Sequence, residues 1–90
     1  MNLSPHFTLE ELTASSKAKS LKIDNTPPAD IIENLKALAL ALELARSVIG
    51  KPLKISSGYR CPALNKAVGG SPTSAHTLGY AADFTVDGMT

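Results

Sequence analysis

The segment Ser74-Ala75-His76-Thr77-Leu78-Gly79-Tyr80-Ala81-Ala82-Asp83 sets one imidazole and one carboxylate seven residues apart across a glycine. Neutral imidazole nitrogen and carboxylate oxygen are both zinc donors, and mixed sets of the two recur in catalytic zinc sites. Such a site uses three protein ligands and keeps a further position open, so the pair by itself is incomplete. Neither His6, in the N-terminal lead-in, nor Asp87, directly after Val86 and followed by a glycine, is a ready third ligand. A loop histidine in a small domain is more often an exposed or hydrogen-bonded side chain than a ligand. Asp83 carries more information: a carboxylate between Ala82 and Phe84 without a cationic sequence neighbour must be hydrogen-bonded, paired or metal-bound if buried.

Arg60 adds a second chemical element. It follows Ser56-Ser57-Gly58-Tyr59, where an apolar and polar alternation ends in small residues. A guanidinium there offers a rigid fork of donors suited to a carboxylate. That carboxylate is either the free terminus of a ligand or Asp83, in an internal pair that ties two strands together, and spacing does not choose between them.

The elements that must position these groups make a small α+β domain. Ile31, Leu35, Leu38, Leu42, Ala45 and Ile49 recur at spacings of four and three, with Ile32 and Ala39 widening the stripe, which predicts one long amphipathic helix over about 27–49. Glu33, Lys36, Glu43 and Arg46 fall largely off that face. Two starts compete: Thr26 as N-cap with Pro27 at the first helical position, or Asp30 as N-cap with Glu33 completing a capping box. Gly50 and Pro52 end the helix. Thr8 and Glu11 form a capping box and Phe7 with Leu12 a hydrophobic staple, predicting a short helix near 8–13. The segment 14–20 reads as a solvated connection.

Leu53-Lys54-Ile55-Ser56 alternates as a half-buried strand does, near 53–56. Pro62 at the first position and Gly69-Gly70 as the stop mark a second short helix near 62–68. His76 then falls on a loop rich in glycine, serine, proline and threonine. Residues 80–86 have the composition of a buried strand, antiparallel to the first, with Ala81, Asp83 and Thr85 on one side and Ala82, Phe84 and Val86 on the other. Asp83 then emerges at the edge of the core, a rigid place from which to hold a ligand.

Ninety residues allow a single domain, and 43% hydrophobic with 19% charged residues is a globular composition. Nine basic and eight acidic residues leave a net charge of +1, too little to draw the chain to nucleic acid or an anionic membrane. Cys61 is the only cysteine, so no internal disulfide forms. Residues 1–12 lack the basic start and apolar run of a secretory signal, and the apolar stretch 37–42 is too short to span a bilayer.

Ile55-Ser56-Ser57-Gly58-Tyr59-Arg60, then Asn65, then Val68-Gly69-Gly70, then the spaced Ser74, His76, Gly79, Ala81 and Asp83 resemble the M15 family of zinc peptidases. More narrowly, they resemble the group of D-Ala-D-Ala carboxypeptidase-like and phage endolysin-like proteins that cut peptidoglycan stem peptides. The lead-in Phe7-Thr8-Leu9-Glu10-Glu11-Leu12 and the pair Asn34-Leu35 are also similar to that group, so the resemblance covers nearly the whole chain. It implies that His76 and Asp83 bind Zn2+, that Arg60 binds or polarises the substrate, and that Ser74 supports the ligands. Tyr59 is then a wall of the site or part of the core, and Gly79 supplies a backbone conformation beside it.

The resemblance further implies a third ligand, a histidine, preceded by an acidic general base, in a C-terminal segment with its own strand. Nothing after Asp83 supplies either, so the ninety residues are expected to be an incomplete M15-like peptidase domain. The expected activity is zinc-dependent hydrolysis of a stem-peptide bond by metal-activated water, as carboxypeptidase or endopeptidase. The alternative is a non-catalytic wall-binding or structural phage module on the same scaffold. The expected setting is synthesis in the cytoplasm without a signal peptide and action on the bacterial cell wall after release by a phage lysis system.

Overall fold

The computed structural model describes residues 1–86. Its spine is helix α3, Ala29–Ile49, whose buried residues are Ile31, Leu35, Ala39 and Leu42. Leu38, Ala45 and Ile49 pack partly buried against the same core, so the stripe faces inward as its spacing predicts. The start differs from both expected ones. Pro28 is the N-cap, with φ −70°, ψ 168° and no side-chain cap. Thr26 lies before the cap and is engaged in its own turn, its N–H and Oγ1 both donating to Asp24 Oδ1, at 3.0 and 2.6 Å. Gly50 ends the helix at φ 75° and donates its N–H to Arg46 O at 2.8 Å.

The N-terminal part docks on this spine. Strands β1, Asn2–Ser4, and β2, Phe7–Thr8, form an antiparallel hairpin that the sequence patterns did not announce. Helix α1, Leu9–Thr13, carries the expected capping box: Glu11 N–H donates to Thr8 Oγ1 at 3.1 Å and Thr8 N–H to Glu11 Oε1 at 3.3 Å. Phe7 and Leu12, the staple residues, are both fully buried. Burial of side chains this size is worth about 1.5–3 kcal/mol each. Glu43, expected off the packed face, is half-buried and ties the hairpin to α3. Its carboxylate accepts from Ser4 Oγ at 2.6 Å, from His6 N–H at 2.7 Å and from His6 Nδ1 at 2.7 Å.

The expected solvated connection is in fact helix α2, Ser16–Leu21. Ser15 caps it by accepting from Ala18 N–H at 3.0 Å, Lys22 closes it in the left-handed region at φ 57°, and Ala18 is buried. Serines and lysines that look like linker composition therefore serve as a cap and a solvated helical face.

Beyond α3 come β3, Lys54–Ser57, helix α4, Pro62–Ala67, a 3-10 turn, Ala75–Leu78, and β4, Asp83–Thr85. Pro62 begins α4 as expected. Strands β3 and β4 pair antiparallel, with Lys54 opposite Thr85, Ile55 opposite Phe84 and Ser57 opposite Asp83. The strand expected over 80–86 is thus shorter, and it is exposed along its length rather than buried. Tyr80 still belongs to the preceding turn, its N–H donating to Ala75 O at 3.1 Å. Ala82 and Val86 pack on the core as the alternation predicts, while Phe84 is 38% exposed. No helix among the described residues is long and apolar enough to cross a membrane.

Candidate active site

The site is built where the exit of β3 meets the 3-10 turn. Gly58 lies so close to the backbone carbonyl of Leu12 that a Cβ there would overlap it, which only glycine avoids. Tyr59 N–H donates to that same carbonyl at 2.7 Å. The carbonyl of Gly58 is left to face the turn, where it lies 2.7 Å from His76 Nδ1. Arg60 N–H donates back to His76 O at 3.1 Å. Residues 58–60 and His76 are thus joined twice, once through the ring and once through the backbone.

Three further contacts hold the turn itself. Ser74 is its N-cap, Oγ accepting from His76 N–H at 3.2 Å. Buried Asn65 reaches from α4 and donates Nδ2 to Ser71 O at 2.7 Å, and Asn34 reaches from α3 to Leu78 O at 2.8 Å. Gly79 ends the turn at φ 76°, with Ile31 and Leu35 only 3.1–3.2 Å from where a Cβ would sit. The loop expected around His76 is therefore an ordered turn pressed onto α3.

A backbone carbonyl can only accept, so His76 Nδ1 is the protonated nitrogen and Nε2 of the neutral ring keeps its lone pair. That free nitrogen lies 3.6 Å from Asp83 Oδ2. The gap is too long for a hydrogen bond. It is close to the roughly 3.4 Å separating two donors that each lie about 2.1 Å from one tetrahedral zinc ion. A ring held through Nδ1 by a carbonyl is also the usual support of a metal-ligating histidine. The His76 side chain is 12% exposed and that of Asp83 67%, so the pair opens to solvent on the carboxylate side. Two donors of the right chemistry fit a zinc ion. No group of three potential ligands forms among the described residues.

Arg60 lies beside them without pairing to Asp83; the group facing Asp83 is the His76 ring. Its Nη2 reaches Ser74 Oγ at 3.5 Å, the outer limit of a hydrogen bond, and its Nε is buried with no partner. Tyr59 is 4% exposed and belongs to the core. Burial pushes its phenol pKa up, with smaller contributions from Cys61 and Asp30, so it stays neutral. His6 is committed to Glu43 at 2.7 Å. Asp87 lies outside the described residues.

Sequence patterns pointed to His76, Asp83, Arg60, Ser74 and Gly79; Gly58, Asn34 and Asn65 entered only as positions of the resemblance without a holding role, and Asn25 was left out. The only local sign for Asn25 was its place in a proline-containing turn sequence, which announces a bend and not a contact.

A small α+β scaffold that sets an imidazole with a free nitrogen opposite a carboxylate, next to an arginine, has the make-up of a metal-dependent hydrolase. The family described as Peptidase M15 matches residues 5–90, and the chain belongs to that family of peptidases. No curated protein and no solved structure matches it.

Proposed function

We propose that this is a zinc peptidase of the peptidoglycan stem peptide, with His76 and Asp83 as metal ligands. The observation that carries this is the 3.6 Å gap between His76 Nε2 and Asp83 Oδ2, with the other ring nitrogen already used on Gly58. Zinc bound there supplies a Lewis acid and a water of lowered pKa. On this reading a third ligand and an acidic general base complete the site from a segment outside these ninety residues, as the resemblance implies.

The chain's own residues bind and orient. Arg60 presents a guanidinium whose Nη2 is directed by Ser74, leaving donors for a substrate oxygen. Placed on the scissile carbonyl, it stabilises the negative charge that develops during attack. Placed on the free carboxylate of a terminal D-alanine, it makes the enzyme a carboxypeptidase. His76 keeps its proton on Nδ1 through the Gly58 carbonyl, which orients the ring with Nε2 toward Asp83. The bacterial cell wall is the site of action, reached through a phage lysis system.

The test is incubation of the protein, in a form that includes the segment carrying the third ligand and general base, with a stem peptide ending in D-Ala-D-Ala, with zinc, with chelator, and as His76→Ala, followed by mass spectrometry. Loss of one alanine marks a carboxypeptidase, and an internal cut marks an endopeptidase. Both must disappear with chelator and in His76→Ala. Peptide binding that persists without any cleavage would instead make the domain a wall-binding module.

A further inference from the structure

We infer that Asn25 is the positioning residue for Arg60, an inference that rests on the proposed role of Arg60 in substrate binding. Arg60 lies between β3 and α4, outside any ladder or helix, where nothing regular fixes its backbone. The fixing comes from one carboxamide in the linker between α2 and α3. Asn25 Oδ1 accepts from Cys61 N–H at 2.7 Å, and Nδ2 donates to Tyr59 O at 3.0 Å. Those groups belong to the peptide units immediately before and after Arg60. Both sides of its Cα are therefore held by a single side chain 34 and 36 residues away in sequence.

The same Nδ2 also donates to Thr13 O at 2.9 Å, at the end of α1. Asn25 itself is held by its neighbours, since Asp24 Oδ1 takes both donors of Thr26 and sets the bend. With its own N–H on His76 O at 3.1 Å, Arg60 is fixed against the metal-ligand turn on one side and against Asn25 on the other. The direction of its guanidinium toward Ser74 follows from that placement. Asparagine is required chemically: the site needs an acceptor and two donors from one planar group. Aspartate keeps only the acceptor and would face two carbonyl oxygens with a charge.

The test uses the protein in a form that includes the segment carrying the third ligand and general base, and four variants: Asn25→Ala, Asn25→Asp, Arg60→Ala and the double variant Asn25→Ala/Arg60→Ala. In the unaltered protein the Cys61 amide is protected from hydrogen exchange, and in Asn25→Asp that protection persists while the Arg60 Nε–H resonance loses its order. In Asn25→Ala, Cys61 exchange accelerates about ten-fold, the loss expected for one hydrogen bond, while amides in the middle of α3 are unchanged. Stem-peptide kcat/KM falls about ten-fold on Asn25→Ala when Arg60 is present and by less than two-fold when it is absent, as coupled residues require.

A purely structural Asn25 would lower thermal stability, leave the Arg60 Nε–H order intact and reduce kcat/KM equally in both backgrounds, which overturns the inference. So does an unprotected Cys61 amide in the unaltered protein, which needs no variant to fold. If no hydrolysis is seen with zinc present, the proposed function fails, and the exchange and Nε–H measurements still decide the role of Asn25.

Discussion

His76 Nδ1 lies 2.7 Å from the carbonyl of Gly58, eighteen residues earlier in the chain. The contact ties the turn to the end of β3 and leaves Nε2 turned to Asp83. It depends on Gly58 having no side chain, because only then does the backbone pass close enough to Leu12. The pair proposed to hold zinc is thereby positioned by a backbone approach that carries no chemistry of its own.

Gly58→Ala is the sharpest probe of that arrangement. The added methyl meets the Leu12 carbonyl, so the exit of β3 must shift, at a cost of about 1–3 kcal/mol. Zinc retention falls with it, because the His76 ring loses its carbonyl partner. Chemical denaturation measures the first effect and elemental analysis after dialysis the second. Unchanged zinc retention in a folded Gly58→Ala protein would falsify the link between the two.

His76→Ala removes the proposed zinc donor and one hydrogen bond. The expected change is loss of zinc retention with a stability cost in metal-free protein of only about 1 kcal/mol. Chelator treatment of the unaltered protein should reproduce the lower stability of its metal-free form and leave His76→Ala unaffected. Thermal unfolding with and without chelator checks this.

Glu43 makes stability depend on acid pH. Partial burial pushes its pKa up, but the hydrogen bonds from Ser4 and His6 and the charge on His6 outweigh that and bring it down from 4.5 to about 2. A carboxyl with a depressed folded pKa stabilises above its unfolded value and loses that contribution as the pH falls through the folded one. Stability from this group is therefore complete above pH 4.5 and disappears toward pH 2. Glu43→Gln should be less stable at pH 6 and show a flatter profile across that window, as followed by denaturant titrations at each pH.

Leu35 is fully buried against the site-bearing turn through Gly79 as well as in the core. Leu35→Ala should cost about 2–5 kcal/mol. Thr8→Ala, which removes only one member of the capping box, should cost about 1 kcal/mol. A midpoint shift as large for Thr8→Ala as for Leu35→Ala would contradict the burial account.

How much of this was legible in the sequence follows from the range of each interaction. The inward stripe of α3, the Thr8–Glu11 box and Pro62 at the start of α4 depend on neighbours within four residues or on one helical period, so residue order is enough to announce them. The residue types of the pair His76 and Asp83, and of Arg60, were visible for the same reason. Helix α2 escaped because its cap and solvated face share the composition of a linker, and the exposure of β4 escaped because burial depends on what packs over a strand. The partner of Asp83, the free nitrogen of His76 and the grip of Asn25 on Arg60 were decided only by the tertiary structure. Each joins side chain to backbone, or side chain to side chain, across a path set by the packing of α1, β3 and the 3-10 turn against α3, and no local pattern encodes such a distance.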